Sequence, residues 1–382
     1  VTKPRMHWVD LIKGTSVVLV VLMHASLVLP QVAGDSAVAD LWSDAGQLLE
    51  PLRMPVFFLV SGMLAASAIN REWDSNRRRT WGIGYVYVVW TAILLVFTSV
   101  VLQWQALGEA LVGLPATLFF ASSGYWYLFA LVAFFGIAYA TRSLPPWLVV
   151  GAAAAINIAR PLTDAFLDST LEPIHQGSLA PTMAMNLVFF LAGVHFKQLA
   201  GQIAHYATVP RVVALGMVLV ALGIYRLETP ILWGQTLLPL SVGWIVWAIW
   251  TAHLATRRQA VQRFGSYLGQ RTLPIYVMQF PLLYGATVLL QKTQPDILSN
   301  AATQALFPVI LTSLIALIAL STHTLVQRNA LRYIFTAPDW ALDPIGRMRR
   351  TAAPRIGSPR ASAAETSASP VLPPEPATAG VS

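Results

Sequence analysis

Ten stretches of the chain are apolar nearly throughout and are separated by polar loops: residues 8–30, 51–69, 82–104, 124–141, 147–159, 181–199, 211–225, 236–255, 273–290 and 304–326. Most approach the roughly 20 apolar residues with which a helix spans the hydrocarbon of a bilayer. The fifth run is short and rich in small residues (VVGAAAAINIA), and its neighbours carry its assignment as a span. The pattern predicts an all-α, polytopic membrane helix bundle of about ten transmembrane helices.

Composition agrees with this. Hydrophobic residues make up 56% of the 382 positions and charged ones 11%, where a globular domain carries roughly 25% charged. The absence of cysteine excludes disulfides, thiolate nucleophiles and Cys-ligated zinc or iron–sulfur centres. The net charge of +8 could suggest a nucleic-acid partner in a soluble chain, but its distribution fits the positive-inside rule better. Basic residues recur in alternate loops: Lys3 and Arg5, then Arg71 with Arg77 to Arg79, Arg142, Lys197 with Arg211, Arg257 with Arg258, Arg263 and Arg271, and the tail from Arg328. The intervening loops are acidic or balanced. Asp35, Asp40, Asp44 and Glu50 share one of them with no base, and Arg226 stands beside Glu228 in another. Both termini are therefore expected to be cytoplasmic, in a multi-pass protein of the plasma (inner) membrane. A cleaved signal peptide is the alternative for the first run, but Asp10 and His24 would be out of place in one. From about Pro354 the chain turns rich in Ala, Pro, Ser and Thr. The expected division is a membrane domain over residues 1–335 and a disordered cytoplasmic tail over 336–382.

Ionisable groups inside spans are costly and mark candidate sites. The first span holds Asp10, Lys13 and His24. Eleven residues of helix turn about 1100°, so Lys13 and His24 share a face about 16 Å apart, Lys13 toward the inner side and His24 toward the outer. His24 is either a helix–helix hydrogen bonder or a general base, since imidazole ordinarily titrates at about 6.5, close to working pH. Asp10 and Lys13, spaced i, i+3, could pair, or Lys13 could snorkel. Arg53 opens the second span on the outer side, at roughly the depth of His24, as an anchor or a site residue. Ser61 and Gly62 read as close helix packing, and no GxSxG elbow surrounds Ser61. Arg77, Arg78 and Arg79 are either topogenic charge or planar donors for phosphate. The other histidines are scattered, no metal site is expected, and no HExxH, Walker or dinucleotide motif occurs.

DLIKGTSVVLVVLMHA resembles the opening of the membrane-bound acyltransferase family 3, in which an acidic residue precedes a base followed by Gly, with a His eleven residues after that base. Asp10, Lys13-Gly14 and His24 match. RMPVFFLVSG resembles the family's second-span motif in the form of the fucose 4-O-acetylase-like branch. NRRRTWGIGYVYVVW is similar to its basic loop, GYWYLFALV to its WxL element and LGQRTLPIYVMQFPLL to its late IYxxHxP segment, so the likeness runs from Pro4 to Val326. Two departures stand out. Gln279 replaces a frequent His, and the basic loop lacks a clean Arg-x-x-Arg.

The resemblance implies transfer of a small acyl group, acetyl by default, from cytosolic acyl-CoA to a hydroxyl of a cell-envelope glycan or glycolipid, with no permanently bound cofactor. It implies His24 as the catalytic base, and Asp10, Lys13, Arg77, Arg78 and Arg79 as donor-binding residues. Arg53, Ser61, Trp126, Tyr276 and Gln279 would bind the acceptor or the oxyanion. The rival class is a secondary transporter or flippase, for which broken helices and polar spans would equally be expected, although no inverted half-repeat is detectable. A catalytically inactive scaffold is a third reading.

Overall fold

The computed structural model describes residues 6–159, 180–229, 237–293 and 296–342. Residues 343–382 of the expected disordered tail and the loop bearing Arg160, Asp164, Asp168 and Glu172 lie outside the described residues. No strand occurs among the described residues. Each of the ten apolar runs carries a helix, as hydrocarbon requires of a backbone that must satisfy its own hydrogen bonds. In chain order the α-helices are α1 (His7–Ser26), α2 (Leu29–Ala33), α3 (Ala37–Leu48), α4 (Glu50–Ile69), α5 (Trp73–Val96), α6 (Leu107–Phe119), α7 (Trp126–Ala140) and α8 (Pro146–Ile158). They continue with α9 (Ala180–His195), α10 (Lys197–His205), α11 (Val209–Glu228), α12 (Leu237–Ala255), α13 (Gln259–Gly269), α14 (Thr272–Thr293), α15 (Ala301–Val326) and α16 (Asp339–Leu342).

Seven of the described helical segments are long and apolar enough to cross a membrane, and α9 with α10 would make an eighth despite a 79° bend between them. α7 and α8, expected as spans, have 15 and 13 residues and fall short of a crossing by length. Three loops of the sequence reading are also helical: α13 occupies the one between the eighth and ninth runs. α3 fills the acidic loop, and the apolar α6 exposes Val112 and Phe119.

The arginine triplet, expected in a loop, lies inside the first turns of α5. Asn76 makes this start possible: its buried amide donates to the Ala68 carbonyl at the end of α4 and closes the α4–α5 hairpin. After α15 the chain folds back on α5. Trp90 Nε1 donates to the Ile334 carbonyl at 2.7 Å, and Phe335 and Ala337 are buried. Packing onto α5 thus continues through α16, past residue 335.

α1 and α4 form the centre of the bundle. α1 packs against α4, α12, α13, α14 and α15, and α4 packs against α7, α9 and α12. The tightest seam is between α4 and α9, where Gly62 faces the Phe190 carbonyl and Gly193 faces the Leu59 carbonyl, with no room for a side chain at either. Small residues at such seams let helices in lipid gain van der Waals contact by close approach. Beside the seam, Phe58 is fully buried among the rings of Trp126, Tyr127 and Phe134. α4 thus holds Arg53 and Ser61 on one rigid element.

Candidate functional site

α1 is unbroken from His7 to Ser26, so Lys13 and His24 are separated by about 16 Å of helical rise. The structure places them in two different cavities.

His24 lines a cavity of about 170 Å³ with Glu50, Arg53, Trp126, Thr182, Asn186 and Tyr276. Its Nδ1 lies 2.9 Å from the Val20 carbonyl oxygen. A carbonyl can only accept, so Nδ1 carries the proton and Nε2 keeps the basic lone pair. The edge-on ring of Phe280, 5.0 Å between centroids, restricts the imidazole further. Gln279 lies beside the imidazole and is fully buried, with neither atom of its amide hydrogen-bonded among the described residues.

Arg53 is 9% exposed, and its side chain makes no hydrogen bond or ion pair among the described residues. Glu50, one turn earlier, is the carboxylate that acts on its charge. Glu50 is itself held by Arg226 of α11, whose Nη2 donates to Oε2 at 3.0 Å, with Arg226 4% and Glu50 42% exposed. Arg53 and Glu50 stand at the wall, with Arg226 holding Glu50 from outside the lining, so the Arg53 guanidinium is the cation that faces a developing negative charge. Glu50→Gln removes the carboxylate from the ion pair with the buried Arg226, so thermal unfolding in detergent should occur at lower temperature than in wild type. An unchanged transition would mean that the pair holds nothing in place.

Lys13 lines a second cavity, of about 230 Å³, with Ser61, Arg79, Thr80, Tyr127, Thr272 and Tyr276. Here two cations face a wall that is otherwise largely apolar. Arg79 also donates to the Leu64 carbonyl at 3.3 Å. Arg77 and Arg78 are not part of the lining, nor is Asp10, so the cavity gathers one arginine of the triplet and one residue of the Asp10–Lys13 pair. Ser61 donates to the Phe57 carbonyl at 2.8 Å and stands 2.7 Å from the Tyr127 hydroxyl. With its proton directed into its own helix, Ser61 receives the tyrosine's hydrogen and is not poised as a nucleophile. The sequence grouped it with Arg53 and Gln279, but it sits in the cavity of Lys13.

Tyr276 belongs to both linings and forms the wall between them. Its hydroxyl donates to the Gly124 carbonyl at 3.0 Å, while Tyr125 donates to the Val277 carbonyl at 2.7 Å. This reciprocal pair locks α14 to the segment that opens α7. Trp126 enters the His24 cavity and Tyr127 the Lys13 cavity from that same segment.

The structure thus brings Arg53, Trp126, Tyr276 and Gln279 to His24, and Ser61 and Arg79 to Lys13. Glu50, Arg226, Tyr127 and Asn186 were not anticipated as site residues. Tyr127 lay inside the GYWYLFALV segment and could have been found there. Nothing in the sequence signals the pairing of Glu50 with Arg226, 176 positions away.

The acyltransferase domain of acyltransferase family 3 matches residues 6–323, from the start of α1 to the last turn of α15. No characterised protein and no solved structure matches the chain significantly. The match takes in both cavities and every helix that lines them, and the chain belongs to acyltransferase family 3, the membrane acyltransferases.

Proposed function

We propose that this protein transfers an acyl group, acetyl by default, from cytosolic acyl-CoA to a hydroxyl of a cell-envelope glycan or glycolipid at the plasma (inner) membrane. The observation that carries this reading is the division of labour along α1. A cationic cavity at Lys13 and Arg79 suits the phosphates of coenzyme A. About 16 Å further along, a cavity at His24 and Arg53 suits proton removal and oxyanion stabilisation. In this reading the chain crosses the bilayer ten times, α7, α8 and the bent α9–α10 pair completing the count, with both termini cytoplasmic as the alternation of basic loops favours. RMPVFFLVSG favours the fucose 4-O-acetylase-like branch of the family.

The acceptor hydroxyl donates to Nε2 of His24, Asn186 offers its amide oxygen to a neighbouring hydroxyl, and Gln279 supports the imidazole from behind. Trp126 offers a ring face to a sugar. As the hydroxyl oxygen attacks the thioester carbonyl, its proton passes to Nε2 and the carbonyl oxygen gains negative charge opposite the Arg53 guanidinium. Collapse breaks the carbon–sulfur bond, and the departing thiolate takes the proton from Nε2. A base contributes roughly 10²–10⁴ in rate, and a preorganised donor to the oxyanion roughly 10²–10³. The acyl end must pass Tyr276 to reach His24, a task for the long pantetheine arm.

The test supplies purified protein in vesicles with acyl-CoA and a glycan or glycolipid acceptor, and reads both by mass spectrometry. An acceptor gaining the mass of one acyl group supports the reading. An acceptor moved across the membrane with acyl-CoA left intact would establish the transporter class instead.

Lys13→Ala should weaken acyl-CoA binding while acceptor binding stays near wild type, because its charge serves the other cavity. Lys13→Arg should retain more function than Lys13→Ala. Calorimetric titration of acyl-CoA checks this, and equal affinity in Lys13→Ala and wild type would return Lys13 to a partner of Asp10.

A further inference from the structure

α13 is a short amphipathic helix clamped against α1. Gly265 and Gly269 are buried on α1, where an added Cβ would meet Leu11 and the Asp10 carbonyl, whereas Arg263, Phe264 and Tyr267 are exposed. Between α13, α1, α4 and α12 runs an apolar groove of about 420 Å³, lined by Leu11, Leu19, Val56, Trp247, Phe264 and Leu268 among others. The hydroxyls of Thr15, Ser16 and Thr251 interrupt it. The Thr251 hydroxyl is buried in the α12 wall with no hydrogen-bond partner among the described residues. Thr251 stands four residues, about 6 Å of rise, before Ala255, the last groove residue of α12. Two and three positions further along lie the exposed Arg257 and Arg258. Basic charge dominates here: residues 229–295 contain no Asp or Glu, Arg257, Arg258, Arg263 and Arg271 lie on and around α13, and Asp10 of α1 is an acid packed near its C-terminal end.

We infer that the groove and the arginine turn at its end bind one anionic glycerophospholipid, with an acyl chain along the groove and the phosphate on Arg257 and Arg258. The Thr251 hydroxyl donates to an ester carbonyl of the same lipid, which lies at that depth between headgroup and chain. Interfacial helices of this kind place aromatic side chains at the acyl boundary and cations at the headgroups, and basic pockets between membrane helices select anionic headgroups over zwitterionic ones. By the positive-inside rule the leaflet is the cytoplasmic one. The site is independent of the acyl-transfer reaction and of either cavity on α1.

Trp247 in the groove wall reports occupancy, because bromine on a lipid chain quenches indole emission at contact. The protein is reconstituted in phosphatidylcholine vesicles and titrated with brominated phosphatidylglycerol or brominated phosphatidylcholine. The signal of interest is the quenching that Trp247→Phe removes. It should saturate at a lower mole fraction for the anionic lipid, and R257Q with R258Q should move that midpoint upward by about five-fold for each arginine removed. Equal quenching by the two lipids in wild type, or an unchanged midpoint in the double variant, would overturn the headgroup site. Quenching that Trp247→Phe leaves intact would overturn occupancy of the groove.

Discussion

His24→Gln should lower acyl transfer by roughly 10²–10⁴ while the protein inserts and melts as wild type does. The substitution separates hydrogen bonding from basicity. A glutamine amide can still donate to the Val20 carbonyl, which Nδ1 contacts at 2.9 Å, and it fills similar space against Phe280. It cannot accept a proton at neutral pH. Because Nδ1 is committed to Val20, the loss falls on the Nε2 function alone. Donor binding should persist in the variant, since Lys13 and Arg79 line the other cavity. The measurement is single-turnover transfer alongside acyl-CoA affinity. Full activity in His24→Gln would leave this histidine a structural role, and transfer would then need another base near Arg53.

Much of this site was legible in the sequence, and physical reasons separate what was from what was not. Lys13 and His24 could be placed on one face at a known separation because an unbroken helix has fixed rise and rotation. Arg53, at the start of the next apolar run, returns beside His24 because adjacent antiparallel spans bring equal depths together. The helix starts were harder to read. Arg77 to Arg79 look like a loop, and only the capping of the Ala68 carbonyl by Asn76 carries α5 down to include them. Span counting met a similar limit. α7 and α8 are apolar enough but short, and the bend between α9 and α10 falls within a run that reads as continuous. Ser61, grouped by the resemblance with Arg53 and Gln279, lines the cavity of Lys13, because depth along a helix says nothing about which side of Tyr276 a residue faces. The Glu50–Arg226 pair depends on α11 packing near α3 and α4, a tertiary contact with no periodic trace in either segment.

The largest effect on stability should come from a position remote from the chemistry. Gly62→Ala adds a single methyl, yet its carbon would lie 2.0 Å from the Phe190 carbonyl oxygen and 2.9 Å from the carbonyl carbon. Gly193 makes the reciprocal contact, 2.0 Å from the Leu59 oxygen. The nearest atoms on both sides are backbone, so no rotamer change can relieve the overlap. The helices must move apart by more than an ångström, since carbon and carbonyl oxygen ordinarily approach only to about 3.3–3.6 Å. Overpacking of this kind costs roughly 1–3 kcal/mol and sometimes more. Separation also strips van der Waals contact from the whole seam, which is the main attraction between helices in lipid. Activity should fall with it, because α4 carries Arg53 while α9 carries Thr182 and Asn186 across the same cavity. Gly136→Ala in α7, where no atom lies within 4 Å of the new carbon, supplies the control. It should be neutral or slightly stabilising, since alanine favours a helix over glycine by roughly 0.5–1 kcal/mol. Thermal unfolding of the two variants in the same detergent decides: if Gly62→Ala melts with Gly136→Ala, α4 and α9 do not meet through their glycines.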